Sequence, residues 1–124
     1  MTPKIMIVDD DNRLLELYES VFKAQGYHVS VFQSGEEALQ NIPNIKPDLV
    51  LLDVMMPSIH GLNILDIIKA TPEVKDTKII MLTALSDEQT KEKALEYGAY
   101  DYIVKSETSI GDILEKVQKA LASG

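Results

Sequence analysis

Three short runs in this chain, Ile5–Val8, Leu49–Leu52 and Ile79–Leu82, contain only apolar residues, and each stops abruptly at a polar one: Asp9, Asp53 and Thr83. A continuous apolar run bounded by polar and turn residues is the pattern of a strand buried on both faces, as in the middle of a parallel sheet. Between the runs the period changes to that of a helix. Leu14, Leu15, Tyr18, Val21 and Phe22 share one helical face, with Asp11 or Asn12 to cap its start and Gly26 to end it.

The same alternation continues along the chain. Tyr27–Phe32 mixes β-branched and aromatic residues, which suits a strand nearer an edge. Ser34 and Glu37 have capping-box spacing, and the helix they open is expected to end in the proline-containing stretch from Asn41 to Pro47. After Asp53, a loop through Pro57, His60 and Gly61 leads into a helix carrying Ile64, Leu65 and Ile68, which Thr71-Pro72 ends; His60 reads as a solvated loop side chain. Ser86 with Gln89 offers a second capping box for a polar helix that Gly98 closes. Tyr100–Val104 reads as a last strand ending at Lys105, and Ile110, Ile113, Leu114, Val117 and Leu121 define a last amphipathic helix.

Five strand-helix units in strict alternation, with no composition break between them, imply a single α/β domain over residues 1–124: a parallel sheet with five helices on its two faces and right-handed crossovers. Five strands suit an open doubly wound sheet, and the apolar runs belong at its centre. Tyr27–Phe32 and Tyr100–Val104 are then the edges, compatible with strand order 2-1-3-4-5.

Composition narrows the classes of function. The chain has no cysteine, which excludes disulfides and thiolate metal sites and fits a reducing compartment. No signal peptide and no run of membrane-spanning length is present, so a cytoplasmic, soluble domain is expected. A net charge of −8 with 12 basic residues argues against a nucleic-acid surface on this domain.

In a parallel sheet all strands end on one side, so Asp9, Asp10, Asp53, Thr83 and Lys105 should converge. Each alone has a plain alternative as a solvated turn acid, a helix cap or a surface lysine. Together they form an acidic pocket whose repulsion needs a proton or a cation to relieve it, and oxygen ligands without imidazole or thiolate suit Mg²⁺. Carboxylates, a hard cation, a hydroxyl and an ammonium can neutralise a transferring phosphoryl group. The sequence has no Walker-type loop and no dinucleotide fingerprint, so the phosphoryl group would arrive from elsewhere and Asp53 is the natural acceptor.

At these residues the chain resembles the receiver domain of two-component response regulators over essentially its full length. The matching pieces are Ile7–Asp11, Leu52–Pro57 with Gly61, Leu82–Ala84 and Gly98–Lys105. The resemblance implies a flavodoxin-like fold and phosphorylation of Asp53 by a histidine kinase, a phosphotransfer protein or a small donor such as acetyl phosphate. It implies Mg²⁺ held by Asp10, Asp53 and the Met55 backbone carbonyl, with Asp9 acting through a water. Lys105 would pair with Asp53 and then with a phosphate oxygen; Thr83 would turn toward the phosphoryl group and Tyr102 would change rotamer. For Tyr102 the alternative of a plain edge-strand aromatic stays open. The altered surface would be the fourth helix, last strand and last helix, with any phosphorylation-dependent homodimer using the last strand and helix.

Two features are particular to this chain. Family members usually carry a proline after the lysine, whereas Ser106 stands here, so a trans bond and a locally altered loop are expected. Met55 and Leu85 flank the pocket mouth and cannot orient a hydrolytic water, so slow loss of the phosphoryl group is expected. A Mg²⁺-dependent phosphotransferase or hydrolase would need a cap and a further acid that the chain does not display, and a degenerate binding module would not need this set of polar residues.

Overall fold

The computed structural model describes residues 2–123. The five strands are β1 (Lys4–Val8), β2 (His28–Phe32), β3 (Leu49–Leu52), β4 (Lys78–Thr83) and β5 (Asp101–Val104). They alternate with α1 (Asn12–Ala24), α2 (Gly35–Ile45), α3 (Gly61–Lys69), α4 (Glu88–Glu96) and α5 (Ile110–Ala122). All strand pairs are parallel and the sheet order is β2-β1-β3-β4-β5, as expected, with the mixed-composition strands at the edges.

Alternate side chains of the central strands enter two cores, which is why those runs carry no polar residue. Met6, Val8, Val50, Leu52, Ile79 and Met81 pack with α2, α3 and α4. On the other face Ile5, Ile7, Leu49, Leu51, Ile80 and Leu82 pack with α1 and α5. Of the helices, α4 is held most lightly, since Ala94 is its one buried residue.

Helix ends follow the capping chemistry with one correction, at the start of α4. Asp11 caps α1, and Ser34 Oγ accepts the Glu37 N–H at 3.2 Å to cap α2. As expected, α2 ends within the Asn41–Pro47 stretch: it passes Pro43 and runs to Ile45, with Ala38 and Ile42 buried against the sheet, and Lys46 in the left-handed region stops it. Packing therefore overrides the one missing N–H. The start of α4 moves from Ser86 to Asp87, whose carboxylate accepts from Thr90 Oγ1 at 2.6 Å, while Ser86 Oγ donates to Glu107 at 3.4 Å. His60 is exposed, as expected, and also caps α3, its Nδ1 accepting the Leu62 N–H at 3.3 Å.

Past β5 the described residues contain no cis peptide bond, as expected for Lys105-Ser106. Lys105–Glu107 instead form a single 3-10 turn that leads to the Ser109 cap of α5.

Candidate functional site at the carboxyl edge of the sheet

The sheet's carboxyl edge brings the expected residues together, and the backbone explains how. Asp9 N–H donates to the Phe32 carbonyl and Asp53 N–H to the Val8 carbonyl, at 3.1 and 3.0 Å, so each acid is pinned by the neighbouring strand. Asp9 and Asp53 are buried at 3% and 6% exposure, whereas Asp10 is exposed. One carboxylate oxygen from each of Asp9, Asp10 and Asp53 lies within 4.8 Å of the others, a donor set that fits a hard cation.

Lys105 reaches this cluster from the end of β5. Its ammonium pairs most closely with Asp9 and lies 3.5 Å from Asp53 Oδ2, so it bridges the two buried acids. Asp9 also accepts the Asp11 N–H at 2.9 Å, and Asp53 Oδ1 accepts the Met55 N–H at 3.3 Å. Burial pushes the Asp9 carboxyl up; the Lys105 bond, the Asp11 N–H and the Lys105 charge oppose this without cancelling it. For Lys105 burial works downward, but the bond to Asp9 and the charges of Asp53 and Asp9 outweigh it, and its pKa rises. The site thus holds its ammonium firmly and still carries excess negative charge.

Beside the acids, Thr83 is fully buried at the end of β4. Its Oγ1 accepts the Leu85 N–H at 3.2 Å, and the Leu85 carbonyl accepts the Tyr102 hydroxyl at 2.7 Å. Tyr102 is itself buried and lines a 210 Å³ concavity with Ser86, Lys91 and Glu107. Leu85 as a backbone mediator has no sequence signal, because any non-proline residue offers the same groups.

Gly61 has a role that its place in the motif did not explain. Its N–H donates to the Val54 carbonyl at 2.9 Å, and a Cβ there would lie 2.1 Å from the Asp53 carbonyl oxygen and 2.7 Å from Val54 Cα. Only glycine lets the start of α3 close against the strand end that carries Asp53. Met55, at 56% exposure, stands at the open side.

The carboxyl edge of this doubly wound parallel sheet thus gathers three convergent acids, a buried hydroxyl and a bridging lysine. The family model described as the response regulator receiver domain matches residues 5–118, and the chain belongs to that family of two-component systems. Receiver domains accept a phosphoryl group on an aspartate, and they imply a cognate histidine kinase.

Among solved structures, the BeF3-activated DrrB receiver domain is 35% identical, with a TM-score of 0.87 and 98% of each chain covered. The BeF3-activated N-terminal receiver domain of Klebsiella pneumoniae RstA is 31% identical with a TM-score of 0.89, covering 97% of this chain and 99% of that one. Among curated relatives, the DNA-binding response regulator MtrA of Mycobacterium leprae is 38% identical over 105 residues, 85% of this chain and 45% of the relative. The probable transcriptional regulator ycf27 of Porphyridium aerugineum is 38% identical over 123 residues, 94% of this chain and 50% of the relative. The chain spans about half the length of these curated relatives. Among the described residues no helix is long and apolar enough to cross a membrane.

Proposed function

We propose that Asp53 is the phosphoacceptor of a cytoplasmic receiver domain occupying residues 1–124, and that its phosphorylation resets the surface formed by α4, β5 and α5. The observation that carries this reading is the convergence of Asp9, Asp10 and Asp53 with Lys105 bridging two of them. A carboxylate oxygen of Asp53 attacks phosphorus; the bond to the imidazole nitrogen of a phosphohistidine, or to the acetate oxygen of acetyl phosphate, breaks with its electron pair on the leaving group. Asp10, Asp53 and the Met55 carbonyl would hold Mg²⁺, with Asp9 acting through a water. When bound, that ion would offset charge on the phosphoryl oxygens.

Lys105 then exchanges its carboxylate partners for a phosphate oxygen, which suits an ammonium placed between both buried acids. Thr83 turns its hydroxyl to the phosphoryl group and so leaves the Leu85 N–H, and the backbone of Leu85, whose carbonyl holds Tyr102, is freed to move. A hydroxyl rotation is an inexpensive element for added charge to bias, and the lightly packed α4 is the element most ready to respond. Met55 and Leu85 present no group that orients water, so the phosphoryl group is lost slowly.

The test is incubation with acetyl phosphate or beryllofluoride and Mg²⁺, comparing wild type with Asp53→Asn by mass and NMR. A single adduct that needs Asp53, with resonance shifts at Thr83 and Tyr102, is expected. An adduct retained in Asp53→Asn would remove the assignment, and multiple turnover of a small phosphate ester would indicate an enzyme instead. Sedimentation with and without beryllofluoride tests a homodimer through β5 and α5.

A further inference from the structure

The two ends of α5 are tied to the sheet very unequally. At its carboxyl end the helix meets Lys78, the first residue of β4. The three donors of the Lys78 ammonium all go to that last turn: the Ala120 carbonyl, the Ser123 carbonyl and Ser123 Oγ, the last at 3.0 Å. The Ser123 hydroxyl in turn donates to the Ala120 carbonyl at 3.0 Å, which leaves its lone pairs to accept from Lys78 and from the Tyr100 hydroxyl, 3.1 Å away. The ammonium also lies 5.4 Å from the centroid of the Tyr100 ring, within reach of a cation–π contact.

The last carbonyls of any helix lack a partner of their own and carry the negative end of its dipole, so a cation there is stabilising. Here that cation comes from the sheet. Lys78 pairs in register with Leu49 of β3 and its N–H donates to the Asp48 carbonyl at 3.3 Å, while the Tyr100 N–H donates to the Ile79 carbonyl at 2.7 Å. Both residues that grip Ser123 are therefore fixed to the strands. The amino end of α5 is held far more loosely. It follows the Lys105–Glu107 turn, where the Thr108 N–H lies 3.5 Å from the Lys105 carbonyl and Ser86 Oγ lies 3.4 Å from Glu107, both at the limit of a hydrogen bond. Lys116 and Asp101, 3.9 Å apart and both partly exposed, add little.

We infer that Lys78, Tyr100 and Ser123 form a fixed pivot for α5, about which the helix swings when the phosphoryl site changes state. The inference rests on the reading of Asp53 as the phosphoacceptor and of Lys105 as the cation that shifts to the phosphoryl group. Lys105 opens the turn that leads into α5, so its displacement passes to the first turn of the helix while the last turn stays on β4. The 13-residue helix is then a lever of about 18 Å, and its exposed face tilts rather than slides.

The experiment adds beryllofluoride and Mg²⁺ to the whole chain and reads amide resonances and hydrogen exchange along α5 in wild type, Lys78→Met and Tyr100→Phe. In wild type the shifts over Ile110–Leu114 should be about threefold larger than those over Lys119–Ala122. In Lys78→Met the last turn should shift as much as the first, and its amides should exchange about tenfold faster. Tyr100→Phe, at an exposed position that does not endanger the fold, should show the same redistribution at about half the size. First and last turns that shift equally in wild type, or a shift profile unchanged in both variants, overturns the pivot. Faster exchange in Lys78→Met with an unchanged shift profile marks a purely stabilising contact and overturns it as well. A wild-type chain in which beryllofluoride leaves Asp53 and Lys105 unshifted would instead overturn the reading on which the inference rests.

Discussion

The Lys105 ammonium sits closer to Asp9 than to Asp53, which lies 3.5 Å away, so the cation at the acidic edge is shared and its nearer partner is not the acceptor. Removing it leaves two buried carboxylates without their counter-charge. Lys105→Met should lower stability in Mg²⁺-free buffer by about 1–3 kcal/mol and recover more of that loss on adding Mg²⁺ than wild type gains. Urea unfolding with and without Mg²⁺ checks this, and an equal Mg²⁺ effect on both proteins would contradict it.

Thr83 and Tyr102 meet at the backbone of one residue, because Leu85 donates to the first at 3.2 Å and accepts from the second at 2.7 Å. Tyr102→Phe and Thr83→Val should each cost about 1 kcal/mol and speed hydrogen exchange at the Leu85 amide. The pair should be non-additive, since both substitutions loosen the backbone of the same residue. Strict additivity, with unchanged exchange at Leu85, would show the two contacts to be independent.

Two half-buried lysines should titrate in opposite directions. Burial pulls the Lys69 ammonium below the ordinary lysine value of 10.5, with Asp76 partly opposing, while its Nζ donates to the Thr77 carbonyl at 2.8 Å. Between its folded value and 10.5 the unfolded chain binds more protons at this site, so the Lys69 contribution to stability rises with pH across that window. Lys105 is raised, so its contribution is full below 10.5 and is lost as pH climbs through its folded value. Side-chain NMR titration in Mg²⁺-free buffer should find Lys69 below 10.5 and Lys105 above it.

Gly61→Ala should cost about 3 kcal/mol, because the added carbon meets backbone at Asp53 and Val54 rather than a side chain that could yield. The same substitution should displace the Asp53 amide resonance and weaken adduct formation. A loss under about 1 kcal/mol in urea unfolding would mean that the strand end tolerates the shift.

The alternation of fully apolar runs with helical periods made the sheet, its parallel sense and its edges legible, because burial on two faces leaves no room for polar residues in Ile5–Val8, Leu49–Leu52 and Ile79–Leu82. The convergence of Asp9, Asp10 and Asp53 followed from that topology and is present in the fold. Helix boundaries were legible where a side chain caps its own helix, as at Ser34, and were misjudged where a tertiary contact competes, as at Ser86 with Glu107. Within the expected Asn41–Pro47 stretch α2 runs past Pro43 to Ile45, because the loss of one hydrogen bond is smaller than what burial of Ala38 and Ile42 contributes.

The sequence by itself determined which groups gather at one edge, since period, capping and strand ends are local properties that alternation carries into three dimensions. Only the tertiary structure decided how those groups divide their partners. Lys105 lies nearer Asp9 than Asp53, Leu85 links Thr83 to Tyr102 through its backbone, and Gly61 closes on Asp53. Those choices depend on distances of a few tenths of an ångström between segments far apart in the chain. Burial, close packing and the shared field of several charges set such distances, and none of these is a property of any one stretch of residues.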